Sequence, residues 1–177
     1  MSRRKMQMKK IEKIKIPLLL FCMCLVVCWI FVLQYGIFGS NLDWINQHSV
    51  LPDYFRQRFY DTGQLFPDIA WNLGAGQNIY NFSYYGLFNP IIWISYLLPF
   101  VPMSLYIQIT SILSYGISVV IFYCWLKKKW NRRIALPCTF LFMLAAPLVY
   151  HSYNQLMFVN YMPFLCLALL GVDAYCQ

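Results

Sequence analysis

The sequence predicts an all-α, polytopic membrane protein with about four transmembrane helices and a structured outer loop holding short interfacial helices. Three observations predict it. The 177 residues are 60% hydrophobic and only 11% charged, where an ordinary soluble domain carries about 25% charged residues. The apolar residues are gathered into long blocks, the first running from Ile16 to Phe38, and about 20 apolar residues are enough for a helix to cross the hydrocarbon. The basic residues that give the net charge of +8 are gathered into two short tracts, each abutting an apolar block. Tracts so placed read as cytoplasmic flanks rather than as a nucleic-acid surface, so no nucleic-acid partner is expected.

Residues 1–15 form the first basic tract, with Arg3, Arg4, Lys5, Lys9, Lys10, Lys13 and Lys15. They predict a cytoplasmic tail. Residues 16–38 are the first transmembrane helix, and Pro17 falls in its first turn, where a missing N–H costs nothing. The block is longer than the apolar region of a signal peptide and no small-x-small cleavage site follows it, so it is read as a retained anchor. Residues 39–102 then lie outside. Within them, residues 84–101, "YYGLFNPIIWISYLLPFV", are apolar but interrupted by Gly86, Pro90 and Pro99. A crossing there would carry the second basic tract, "KKKWNRR", to the outer face. The segment is therefore expected at the outer interface, with Tyr84, Tyr85, Trp93 and Tyr96 at headgroup level.

Residues 103–126 form the second transmembrane helix and 127–133 the basic cytoplasmic loop. Residues 134–150 cross outward, 151–155 make an outer turn, 156–172 cross back, and 173–177 are a truncated end. The expected location is the cell membrane, multi-pass, with the N-terminus in the cytoplasm. The seven cysteines lie in or beside the apolar blocks, which suits small apolar fillers better than a disulfide framework or a metal site.

Chemistry is expected in the outer loop, because a long ordered loop tends to carry function. Its stretch "DYFRQRFYDTG" reads as a short amphipathic helix ended by Gly63. Asp43 stands just beyond the first span. A carboxylate there suits a general base on a hydroxyl, a ligand of a divalent cation, or, with Asn41, a helix N-cap. On a helix Gln47 shares its face and His48 stands beside it, so both are candidate supporting groups. Asp68 is either a second acid or the start of a short helix over Ile69–Trp71. Arg56 and Arg58 suit phosphate recognition, or pair with Asp53 and Asp61. Gly74 and Gly76 mark a tight turn whose backbone can approach a ligand, without a P-loop or dinucleotide fingerprint. From the second outer segment, His151, Asn154, Gln155 and Asn160 lie on the same side of the membrane as Asp43. No metal-ligand set is legible, and whether a divalent cation takes part stays open.

Leu42–Phe100, "LDWINQHSVLPDYFRQRFYDTGQLFPDIAWNLGAGQNIYNFSYYGLFNPIIWISYLLPF", resembles the YfhO family of bacterial multi-spanning membrane proteins, as does Met157–Tyr175, "MFVNYMPFLCLALLGVDAY". That family is similar to glycosyltransferases of the GT-C architecture. The resemblance implies transfer of a sugar from an undecaprenyl-phosphate donor to a surface glycopolymer such as lipoteichoic acid. It also implies an acidic catalytic residue shortly after the first helix, the place that Asp43 occupies. Donor phosphate would be met by Arg56, Arg58 or His151, and the acceptor by Asn154, Asn160 and the backbone at Gly74 and Gly76. Family members are longer than this chain, so an N-terminal fragment is expected. Two rivals stand beside this expectation: transport or flipping of a lipid-linked precursor, and an inactive membrane fragment or assembly factor.

Overall fold

The computed structural model describes residues 3–36, 38–40, 43–154 and 160–176, with side chains from residue 14 onward. It is built mostly from helices. The long ones are α1 (Arg3–Tyr35) and, after a long connection, α4 (Met103–Lys129). Both are long and apolar enough to cross a membrane, over Ile14–Tyr35 and Met103–Lys129. Between them lie α2 (Val50–Thr62), the short strands β1 (Ile69–Ala70) and β2 (Gln77–Asn78), and α3 (Pro90–Ile94). After α4 come α5 (Arg132–Met143), α6 (Ala146–Asn154) and α7 (Met162–Tyr175).

α1 and α4 pack closely because α4 presents a glycine. A Cβ built on Gly116 would stand 2.6 Å from the ring of Phe21. Small residues let helices approach where lipid offers no hydrophobic drive between them, and buried Ser111, Ser114 and Ser118 extend the small-residue character of α4. Gly116→Leu is expected to destabilise the folded protein by about 1–3 kcal/mol through overpacking. Thermal unfolding in detergent would register it, and adding Phe21→Ala should restore much of the loss.

The apolar block at residues 134–150 is not one straight helix. α5 and α6 meet at an angle of 43° and could form a single bent crossing only as a pair. The cause is Pro147, which has no N–H to give the carbonyl of Met143, four residues back. The hydroxyl of Tyr115 donates to that carbonyl at 2.7 Å, inside the protein. An orphan backbone group far from water is thereby paired by a neighbouring helix. The outer turn expected at residues 151–155 is also different: residues 151–154 complete α6, and Gln155 lies outside the described residues. α7 is apolar but short. Its far end is tied to α4 by an ion pair of 2.9 Å between Lys129 and Asp173.

The connection between α1 and α4 has a core of its own, with Trp44, Leu51, Phe55, Ile79, Leu87 and Ile92 at its centre. Gly63 ends α2 in the left-handed conformation, its N–H donating to the Phe59 carbonyl at 2.8 Å. The short helix expected from Asp68 over Ile69–Trp71 is replaced by a hairpin. Ile69 pairs with Asn78 and Ala70 with Gln77. Gly74, Ala75 and Gly76 all take positive φ in its turn, and that reversal brings the two strands together in place of a helical turn. Residues 84–101 hold no long helix. A 3-10 helix over Ile79–Tyr85 ends at Gly86, α3 follows, and a further 3-10 turn covers Ser95–Leu97. Asn89 caps α3 by accepting from the Ile91 N–H at 2.9 Å, with Pro90 in the first turn.

Candidate functional site

The site begins where the chain leaves α1. The Ser40 hydroxyl accepts from the Trp44 N–H at 3.4 Å, and Trp44–His48 then winds as a π-helical turn. The Ser49 N–H reaches back five residues to the Trp44 carbonyl at 3.0 Å. Such a wide turn is rare and recurs at functional sites. Trp44 is buried against Gly39, where a Cβ would stand 2.9 Å from the indole, so the turn is anchored at its base. Asp43 precedes it and makes no side-chain cap hydrogen bond. Of the readings open to Asp43, capping is therefore not the one its carboxylate uses; Asn41 lies outside the described residues.

Asp43, Gln47 and His48 stand as one group with Tyr85. The Tyr85 hydroxyl donates to the side-chain oxygen of Gln47, and its ring packs edge-on against His48 at 5.6 Å. Burial, helped by the neighbouring Tyr84 hydroxyl and the Asp43 charge, pushes the Tyr85 phenol up to about 12. His48 is 4% exposed. Its pKa falls below the ordinary 6.5 because burial disfavours the imidazolium, an effect that the nearby Asp43 carboxylate partly offsets. His48 is thus neutral at pH 7, a donor through one ring nitrogen and an acceptor through the other.

The sign of that shift sets a pH dependence. A lowered folded-state pKa contributes stability that is present above about pH 6.5 and is lost as pH falls through the folded value. Thermal unfolding midpoints in detergent, taken across the acid range, should fall for the wild type. The fall should be shallower for His48→Gln.

Beside His48 opens a cleft of about 360 Å³. One side is the 3-10 turn and its exit, with Tyr84, Tyr85 and Phe88. The chain entering α7 lines it as well, with Asn160, Tyr161 and Phe164. Asn160 is 4% exposed, and its side-chain oxygen has no hydrogen-bond partner among the described residues. Two segments far apart in sequence thus place a buried imidazole and a buried amide in one cavity. Asp43 does not line it; it stands at the flank, close enough for its charge to act on both His48 and Tyr85.

The other sequence candidates are elsewhere. Arg56 is 3% exposed and its guanidinium is already engaged, with Asp53 at 2.6 Å and with the carbonyls of Val101 and Leu98 at 2.9 and 3.4 Å. Arg58 faces Asp61 at 3.9 Å. Gly74 and Gly76 make the hairpin turn, where the Gln77 side chain covers Gly74. Asp68 is exposed at the hairpin base, and its carbonyl accepts from the Ile79 N–H at 3.1 Å. His151 and Asn154 are half-buried in the last turn of α6, with the His151 ring against Tyr150 at 5.3 Å. None of these lines the cleft.

The sequence expectation missed the walls. Tyr84 and Tyr85 were expected at headgroup level, and Tyr161 was not singled out. Among the described residues no group of three or more His, Cys, Asp or Glu side chains comes together as a cation site would require. Comparison with known families matches the model described as bacterial membrane protein YfhO to residues 13–177. No curated protein and no solved structure matches the chain.

Proposed function

Because the chain belongs to the YfhO family of bacterial membrane proteins, we propose that it acts in transfer of a sugar from a polyprenyl-phosphate donor, such as undecaprenyl phosphate, to a surface glycopolymer such as lipoteichoic acid. The observation that carries this reading is the cleft, in which His48 and Asn160 converge beside the Asp43 carboxylate. The reaction is placed at the outer face of the cell membrane. α1, α4, the bent pair α5–α6 and a fourth crossing that includes α7 span the bilayer, with residues 1–15 and 127–133 in the cytoplasm. The two basic tracts support that orientation.

Asp43 takes the proton of the acceptor hydroxyl as that oxygen attacks the anomeric carbon. The bond from the anomeric carbon to the phosphate oxygen breaks on the opposite side, with inversion, and its electron pair leaves with the lipid phosphate. A phosphate is already a fair leaving group, so a strong general acid is not required. Neutral His48 and Gln47 orient groups around Asp43. The Arg56 guanidinium is held by Asp53 and two backbone carbonyls rather than by the leaving phosphate.

The test is sugar content. Lipoteichoic acid from a deletion strain should lack a glycosyl substituent that returns on complementation with the gene. Unchanged glycosylation in the deletion strain would contradict the acceptor and, if no other surface polymer loses sugar, the transfer itself.

A further inference from the structure

The cleft has a chemistry narrower than "sugar donor". Its volume, about 360 Å³, lies at the small end of the roughly 300–1,000 Å³ typical of small-molecule sites, and suits one ring rather than a stretch of polymer. Its walls are aromatic: Tyr84, Phe88, Tyr161 and Phe164. Its polar atoms belong to neutral groups, chiefly His48, Asn89 and Asn160, and among the described residues no lysine or arginine lines it. Among the described residues, the formal charge acting at its edge is negative, that of Asp43. A phosphate in such a place would be buried without a cation and beside a carboxylate, an arrangement that costs heavily. A pyranose fits on every count. It has C–H faces that lie against aromatic rings and hydroxyl edges that give hydrogen bonds. The Asn160 side-chain oxygen, buried and without a partner among the described residues, is an acceptor waiting for a donor such as a sugar hydroxyl, since a buried polar atom left unmet is destabilising.

We propose that this cleft binds one uncharged glycosyl unit between its aromatic walls, with Asn160 accepting a hydrogen bond from a ring hydroxyl, and that the donor's phosphate stays outside it. The inference rests on the transfer reading above and adds to it the charge of the sugar and the residues that recognise it. Asn160 and Tyr161 are then specificity-determining residues.

The experiment is saturation-transfer NMR on the full-length protein in lipid nanodiscs. The probes are methyl hexopyranosides, methyl N-acetylhexosaminides, a methyl glucuronoside with the same ring but a carboxylate, and inorganic phosphate. At least one neutral glycoside should receive saturation while the glucuronoside does not, and excess inorganic phosphate should not displace it. Binding should weaken by about fivefold in Asn160→Leu and in Tyr161→Ala, the loss of one hydrogen bond or one ring contact. Tyr161 is 53% exposed, so Tyr161→Ala should keep the fold and decides the matter alone if Asn160→Leu does not fold. Four results would overturn the assignment: no neutral glycoside saturates, the glucuronoside saturates as the neutral glycosides do, Tyr161→Ala binds as wild type does, or phosphate competes. If no glycoside binds while surface sugar still depends on the gene, the cleft assignment fails and transfer stands. If a glycoside binds in the cleft and no surface sugar depends on the gene, transfer fails and the sugar site stands.

Discussion

Asp43→Asn is expected to lower sugar transfer by about a hundredfold or more, the usual contribution of a positioned general base, at unchanged membrane abundance. The substitution keeps the size of the side chain and removes only its charge and basicity. The carboxylate makes no cap hydrogen bond, so the π-helical turn does not depend on it. Trp44 against Gly39 and the Ser40 hydroxyl hold that turn instead. A second signature separates catalysis from general damage. The Asp43 charge favours the His48 imidazolium, so its removal should shift the His48 titration further down, visible by NMR of labelled histidine. Low transfer with an unshifted His48 would mean that the turn had moved. Full transfer in Asp43→Asn would take the base away from Asp43.

Arg56→Ala should be the most damaging change to stability, at about 3–5 kcal/mol if the loss behaves as the breaking of a buried charged cluster. Three partners lose their donor together: the Asp53 carboxylate and the carbonyls of Leu98 and Val101. Those carbonyls belong to the chain just before α4, so Arg56 fixes α2 against the start of a long helix. Asp53 is 40% exposed and can return to water, and that places the loss toward the lower end. Asp53→Asn should cost clearly less, because the guanidinium keeps both carbonyls. Protein yield and thermal aggregation in detergent would rank the two. Equal losses would mean that the ion pair, and not the carbonyl clamp, holds α2 in place.

The sequence places its first two spans at residues 16–38 and 103–126, and the two helices long and apolar enough to cross run over Ile14–Tyr35 and Met103–Lys129, because a crossing helix needs only length and apolar content. The break between α5 and α6 was harder to see. Pro147 stands in the sequence, but whether a proline bends a helix or ends it depends on what meets the freed carbonyl, here Tyr115 from another helix. Asp68 followed by Ile-Ala-Trp suits a helix start as well as a strand, and the choice fell to a turn several residues later. For Arg56 and Arg58 the sequence left phosphate binding and pairing equally open. The spacing to Asp53 and Asp61 was visible, but the carbonyls that commit Arg56 are 42 and 45 residues away. The cleft was legible only in part. The charge pattern put His48 and Asn160 on one side of the membrane, yet nothing in the sequence brings them to one cavity. Nor does it foretell the π-helical turn, whose geometry comes from packing around Trp44.

The most direct measurement follows label from a polyprenyl-phosphate sugar in vesicles that contain the purified protein and lipoteichoic acid. The glycosyl-transfer account predicts that label moves onto the polymer, that polyprenyl phosphate accumulates in equal amount, and that Asp43→Asn does neither. Label that crosses the bilayer while still joined to its lipid would contradict it and mark the protein as a transporter of the precursor.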